Sequence, residues 1–411
     1  MAMMTLGTVA QYINGRAFKP EEWEESGKPI IRIQNLTNSS DVCNRTTNTY
    51  EEKYLVTDGD LLFAWSASLG AHIWHGEDGW LNQHIFKIIP YECIEKMYLY
   101  YYLLFVVDQL YAKTHGSGMV HITLKPFKDT PIIVPSIIAQ QRIVDRIESL
   151  FAKLDEAKEK AQSVVDSFED RKAAILHKAF TGELTDKWRG KHGINLEGTW
   201  KEKTVVDLCS VIVDCPHSTP EWTESGKICL RTTNIKGGYL DLSEIQYVSE
   251  QTFLDRIQRA IPQAGDVLLT REGNIGDVGV IPKGIEICLG QRMMLLRPDG
   301  CEPNFLVYFF RSPRVTEIIK SNTMGSTAPR MNIKDIKQIS MLCPSYEEQK
   351  VITCILDSLM QFEQKAKEAA EQVIDQIDTM KKAILARAFR GKLGTNDPAD
   401  ESAEELLKRI I

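Results

Sequence analysis

Few residues of this 411-residue chain stand at spacings that catalysis would use. His72 and His75, in Gly70-Ala71-His72-Ile73-Trp74-His75, form the only close histidine pair, and a tetrahedral metal would need further ligands that the sequence around them does not supply. There is no phosphate cradle of the form G-x-x-x-x-G-K-[ST], so nucleotide hydrolysis is not expected. The glycine-rich Gly273-Asn274-Ile275-Gly276-Asp277-Val278-Gly279 has the wrong spacing for a dinucleotide fingerprint and reads as a tight turn beside a strand. The Asp/Asn-Pro-Pro-Tyr/Phe tetrapeptide that adenine methyltransferases use around a target base is also absent from the sequence. No catalytic residue and no metal ligand is assigned.

What remains is binding chemistry. The net charge of −7 argues against unselective coating of nucleic acid. Between Arg311 and Lys337, however, six basic residues (Arg311, Arg314, Lys320, Arg330, Lys334, Lys337) face two acidic ones (Glu317, Asp335), a local net of +4. One basic face on an acidic protein would steer DNA to that face. Nine cysteines lie scattered without a C-x-x-C, as expected of reduced thiols. No opening signal peptide and no run of about 18 apolar residues is visible, so the expected location is cytoplasmic, with no membrane contact.

The elements that would position such a face form a repeat. Ten positions from Ile143 to Ile175 follow a 4-3 spacing, and adding 209 to each gives a second series from Ile352 to Ile384. A 3.5-residue apolar period kept this long is a coiled-coil seam, and each copy reads as one long helix. Arg171 and Glu363 interrupt the seam, as a pair that carries register would. Gly182 and Gly391 are expected just past the two helix ends, and a short amphipathic helix is expected after Asp397-Pro398.

The segments before the helices repeat as well. Trp23-Glu24-Glu25-Ser26-Gly27-Lys28, Arg32 and Asn35 match Trp222-Thr223-Glu224-Ser225-Gly226-Lys227, Arg231 and Asn234. Gly59-Asp60-Leu61-Leu62 matches Gly265-Asp266-Val267-Leu268, and Pro135-Ser136 with Gln140 matches Pro344-Ser345 with Gln349. The expected fold class is α+β: two pseudo-symmetric mixed α/β domains, 1–136 and 200–344, separated by two long antiparallel coiled-coil helices. The first helix and a linker occupy 137–199, and the second helix with the short terminal helix occupies 345–411. About 40 helical residues at roughly 1.5 Å each would make a spacer of about 60 Å.

Two variable domains, each followed by a long helix entered through Pro-Ser…Gln-Gln-Arg-Ile-Val or Pro-Ser…Glu-Gln-Lys-Val-Ile, resemble the specificity subunits of type I restriction–modification systems. The resemblance covers essentially the whole chain. It is carried by Gly265-Asp266-Val267-Leu268-Leu269, Gly325-Ser326-Thr327 with Asn332-Ile333-Lys334-Asp335-Ile336, and Ala383-Ile384-Leu385 with Ala388-Phe389. It implies a non-catalytic chain in which each target-recognition domain reads half of a bipartite double-stranded DNA site. The helices would fix the gap and bind two methyltransferase (modification) subunits. Those subunits would bring S-adenosylmethionine, no cofactor being held by this chain, and restriction subunits could then join.

Base reading needs donors and acceptors on loops: Arg for guanine, Asn or Gln for adenine, Ser and His beside them. Under that resemblance the second domain offers Arg271, Asn274, Gln291, Arg292, Ser326, Arg330 and Asn332. By position in the repeat, the first offers Trp65, Ser66, Gln83, His84, Ser117 and His121. Arg32 with Asn35, and Arg231 with Asn234, recur in both copies, which suits phosphate or the fold better than a base. Phe180 and Phe389, beside the terminal glycines, are expected either to meet a partner helix or to close the local core. Two other functions stay open: a specificity chain of another restriction or phage-defence assembly, and a coiled-coil scaffold with two protein-binding domains.

Overall fold

Glycine followed by aspartate opens a buried strand in each half. Gly59 and Gly265 take φ of +82° and +91°, a region that suits glycine. The next residue turns its carboxylate back: Asp60 Oδ2 accepts the Thr57 N–H at 2.7 Å and Asp266 Oδ2 the Gln263 N–H at 2.9 Å. Both strands that follow are buried throughout. The computed structural model describes residues 2–37, 42–112, 121–323 and 330–395. The chain divides into two units, Met1–Gln162 with Gln372–Ile411, and Ser163–Glu371.

The first unit holds β1 (Ala2–Thr5), β2 (Ala10–Asn14), β3 (Lys28–Ile31), β4 (Arg45–Thr46), β5 (Leu55–Val56), β6 (Leu61–Ala64), β7 (Gly70–Ile73), β8 (Gly79–Leu81), β9 (Ile85–Pro90) and β10 (Pro131–Val134). An antiparallel sheet runs β2-β9-β6-β7, and a second runs β4-β3-β8-β5 with β3 and β8 parallel. Helix α1 (Lys96–Tyr111) buries Tyr98, Leu99, Leu103 and Val106 in one core with Phe63, Phe86 and Ile88 of the first sheet. Ile143 and Ile147 of α2 (Ile137–Asp166) join it, as do Leu385 and Phe389 of the C-terminal long helix.

The second unit repeats the plan. It contains α3 (Phe168–Phe180), α4 (Asp186–His192), β11 (Lys201–Thr204), β12 (Cys209–Asp214), β13 (Trp222–Thr223), β14 (Lys227–Leu230), β15 (Ile235–Lys236), β16 (Tyr239–Leu240) and β17 (Gln246–Val248). There follow α5 (Glu250–Arg256), β18 (Val267–Thr270), β19 (Val278–Val280), β20 (Ile287–Leu289), β21 (Met293–Pro298), α6 (Pro303–Phe310), α7 (Pro313–Asn322), β22 (Ser340–Cys343) and the start of α8 (Tyr346–Phe389). The sheets run β12-β21-β18-β19 and β13-β17-β14-β20, the latter with β14 and β20 parallel. Where the first unit has the single helix α1, Pro313 begins a new helix after Ser312, as proline at the first helical position does.

One helical segment departs from expectation. The first long helix is interrupted at Ser167, whose Oγ donates to the Ser163 carbonyl at 2.5 Å while Arg171 Nη1 donates to the Val164 carbonyl at 3.1 Å. Side chains that take helix carbonyls in this way bend or break the turn. Within the first unit Asp155 meets Lys381 at 2.6 Å and Lys158 meets Asp378 at 3.9 Å, so the paired segments run antiparallel. Within the second, Arg171 meets Glu363 and the Lys367 ammonium lies 4.9 Å from the Phe168 ring centroid, in the same sense.

Gly182 (φ +85°) and Gly391 (φ +66°) take the left-handed conformation expected past the helix ends. The segment from 181 to 198 is more than a linker, because it includes α4 and buries Arg189. That guanidinium lies 2.7 Å from Glu348 Oε1, and Trp200 Nε1 donates to Glu348 Oε2 at 3.1 Å. The short helix expected after Asp397 lies outside the described residues. No helix among the described residues is long and apolar enough to cross a membrane.

Candidate nucleic-acid interface

In the second unit, β12 and β18 end and β21 begins at one edge of the sheet, so Asp214, Arg271 and Arg292 are brought together. The Arg271 N–H donates to the Arg292 carbonyl at 3.0 Å, the Arg271 carbonyl accepts the Met331 N–H at 3.0 Å, and the backbones of Glu272 and Arg330 pair in an isolated antiparallel β-bridge. This corrects the role expected of Arg271. Its side chain is buried, and Nε and Nη2 each donate to a carboxylate oxygen of Asp214 at 2.8 Å, while Nη1 lies 3.0 Å from Glu272 Oε1. Three of its five N–H donors are engaged in this way, so the bidentate fork is already on a carboxylate. His217 Nε2 approaches the same Asp214 at 3.1 Å, and Gln291 Nε2 donates to the His217 carbonyl at 2.6 Å. Asn274, Arg292, Arg330 and Asn332 are exposed around this edge. Asn332 opens a short helix, Ile333–Lys337, with Nδ2 3.3 Å from Asp335. Ser326 lies outside the described residues.

The first unit builds the same frame from other side chains. The Trp65 N–H donates to the His84 carbonyl at 3.1 Å, the Trp65 carbonyl accepts the Ile122 N–H at 3.0 Å, and Ser66 bridges His121. Where Arg271 meets Asp214, Trp65 Nε1 donates to Asn14 Oδ1 at 3.0 Å, and the indole stacks on Phe86 at 5.9 Å. Ala67 takes φ +59° where the other copy has Gly273 at +78°. Ser66 is buried, which removes it as a side chain able to reach a base. Gln83 Oε1 and His84 Nδ1 are buried without a hydrogen-bond partner. Burial, with the charge of Arg32 second, holds the His84 pKa below its usual value. Ser117 lies outside the described residues.

The recurring polar pairs turn out to close turns. Asn35 Oδ1 accepts the Arg32 N–H at 3.0 Å and Asn234 Oδ1 the Arg231 N–H at 2.9 Å. Asn35 Nδ2 donates to the Val42 carbonyl at 3.3 Å, and Asn234 Nδ2 donates to the carbonyls of Asp241 and Glu244 at 3.0 and 2.9 Å. Both amides serve the fold, and the DNA role expected of Asn35 and Asn234 stays a proposal. Arg32 lies 5.7 Å from the Trp23 ring centroid, and Arg231 Nε is buried without a partner. Phe389 packs against Tyr98, Tyr102 and Phe105 at 5.1 to 5.4 Å, and Phe180 against Phe305 and Phe309 at 5.3 and 5.7 Å. Both rings pack in the local core, Phe180 partly exposed, and the partner role expected of them stays a proposal.

Sequence reasoning missed Asn14 and Asp214. They lie 200 residues apart, one step from the 199 of Trp23 and Trp222, so extending the repeat alignment upstream would have found them. Among the described residues no three His, Cys, Asp or Glu side chains gather as a metal site would need.

The two units thus share one frame and differ at its tips. The model of the type I restriction modification DNA specificity domain matches residues 1–164 and 197–373. The chain belongs to this family. It is a DNA specificity subunit of a type I restriction–modification system, itself non-catalytic. This specificity subunit is 25% identical over 441 residues to the type I restriction enzyme EcoBI specificity subunit of Escherichia coli, covering 99% of this chain and 91% of that one. It is 24% identical to the EcoKI specificity subunit of E. coli K12, covering 98% and 93%. Among solved structures it resembles the HsdS subunit from Thermoanaerobacter tengcongensis, with a TM-score of 0.61, 19% identity and coverage of 95% and 96%. A chain from a study of complex assembly and conformational transition in the type I R-M system gives a TM-score of 0.66 at 20% identity, covering 95% and 97%. Both structures share the fold of this specificity subunit.

Proposed function

We propose that the two target-recognition domains, 1–136 and 200–344, each read one half of a bipartite double-stranded DNA site. The long helices within 137–199 and 345–411 set the spacer and bind two methyltransferase subunits, with which restriction subunits assemble in the cytoplasm. S-adenosylmethionine and the base chemistry belong to those methyltransferase subunits. The observation that supports this reading is the shared frame at the sheet edge. The backbone bonds of Trp65 and Arg271 are the same, while the side chains around them differ. Constant backbone with variable side chains is what two readers of different sequences require.

Base reading is assigned to Gln83, His84 and His121 in the first domain, with Trp65 offering its ring because its one N–H is held by Asn14, and to Asn274, Gln291, Arg292, Arg330 and Asn332 in the second. Arg32 and Arg231 are placed with phosphates. The test is methylome sequencing of cells carrying this chain with its methyltransferase, against cells lacking only this chain. Loss of N6-methyladenine at one bipartite motif is expected. No change at any motif, with all subunits expressed, would return the chain to the scaffold reading.

A further inference from the structure

Among the described residues, two that are not glycine take a left-handed backbone: Ala67 and Arg292. One lies at the sheet edge of each unit. A long side chain at φ +67° is strained, and strain of this kind persists only where the surroundings over-determine it.

The surroundings of Arg292 do so. The Gly290 N–H donates to the Leu230 carbonyl at 2.8 Å, and a Cβ at Gly290 would lie 2.5 Å from that oxygen, so only glycine fits. Arg256, buried at the end of α5, donates Nη1 to the carbonyls of Leu289 and Gly290 at 2.8 and 3.0 Å and Nη2 to the Ser218 carbonyl, which clamps the turn to the neighbouring loop. The Arg292 carbonyl accepts from Arg271, and the Met293 N–H meets Cys215 Sγ at 3.4 Å. The nearby arginines 256, 271 and 297 have their guanidinium groups on carbonyls or carboxylates. The Arg292 side chain is exposed and makes no hydrogen bond or ion pair among the described residues.

We propose that Arg292 is the guanine-reading residue of the second domain, a role that rests on the DNA reading above. The guanidinium presents two parallel N–H donors, which match O6 and N7 of guanine in the major groove and no other base edge as well. A fixed backbone and an unpaired fork mean that little ordering and no ion-pair breaking are needed on binding. The first domain carries His84 at this position. Its imidazole is partly buried and biased toward the neutral form, so the two half-sites differ here.

The test replaces Arg292 with glycine in the full chain, assembled with its methyltransferase, and sequences the methylome. Glycine accepts the positive φ without strain, so Arg292→Gly removes the fork and keeps the turn. The expected result is a wild-type second half-site with one G·C pair at which the variant relaxes discrimination about ten-fold or more, with the first half-site unchanged. If the variant methylates nothing, competition binding with duplexes bearing each base pair at that position decides the matter. A preference for guanine that the variant loses supports the proposal. Unchanged half-sites, relaxation at an A·T pair, or uniform weakening across sequences, the mark of a phosphate contact, would each overturn it. A wild-type complex with no bipartite motif would instead overturn the DNA reading itself.

Discussion

Arg171 donates Nε to Glu363 Oε2 at 2.7 Å across the helix pair of the second unit, with the Glu363 side chain 13% exposed. By the helix offset of 209 these positions correspond to Met380 and Leu154 in the other copy. Two facing seam positions are therefore polar in one copy and apolar in the other, the device by which a coiled coil fixes its register. Arg171→Met alone leaves a poorly solvated carboxylate without its donor and should cost about 1–3 kcal/mol. The double variant Arg171→Met, Glu363→Leu, which copies the other half, should recover most of that loss. Urea midpoints of the four chains of this cycle check the coupling.

Gln140 and Gln349 fasten the long helices to the strand-rich part of their own units. Gln140 Oε1 accepts the Glu95 N–H at 2.8 Å and Nε2 donates to the Cys93 and Pro135 carbonyls. Gln349 does the same with the Glu302 N–H at 2.8 Å and the Pro344 carbonyl. Replacing either by Leu strands buried backbone groups and should destabilise its unit by about 1–3 kcal/mol. Thermal unfolding of the full chain reads the loss.

Glu348 is nearly inaccessible and serves Arg189, Thr185 and Trp200 together. Glu348→Ala leaves the buried Arg189 with the exposed Asp186 carboxylate, 3.5 Å away, as its remaining ion-pair partner and should cost about 3–5 kcal/mol. Hydrogen exchange should then show earlier opening of residues 183–200 than elsewhere in the second unit.

Burial holds the pKa of both His72 and His84 below the usual value of 6.5. The unfolded chain then binds protons at a higher pH than the folded one, so stability is present above about 6.5 and falls as pH drops below it. The melting temperature of the first unit should decline between about pH 7 and about 5.5. A His72→Gln, His84→Gln chain should show a flatter profile.

The sequence by itself determined what depends on near neighbours. The Gly-Asp turns, the helix seams and the left-handed Gly182 and Gly391 were legible because each follows from local conformation and a fixed period. The duplication was legible because matched residues keep nearly constant offsets, and with it came the family. The sequence could not say which of the candidate readers were still free to read. Arg271 has the chemistry of a base contact, but the sheet brings Asp214, 57 positions earlier, onto two of its donors. The Asn234 amide and the Phe389 ring likewise meet partners fixed only when strands and helices pack. Arg292 stayed free because its turn faces outward while Arg256 grips the carbonyls behind it. A side chain's type limits what it can bind, but whether its polar atoms are already satisfied is decided by long-range contacts, and these exist only in the tertiary structure.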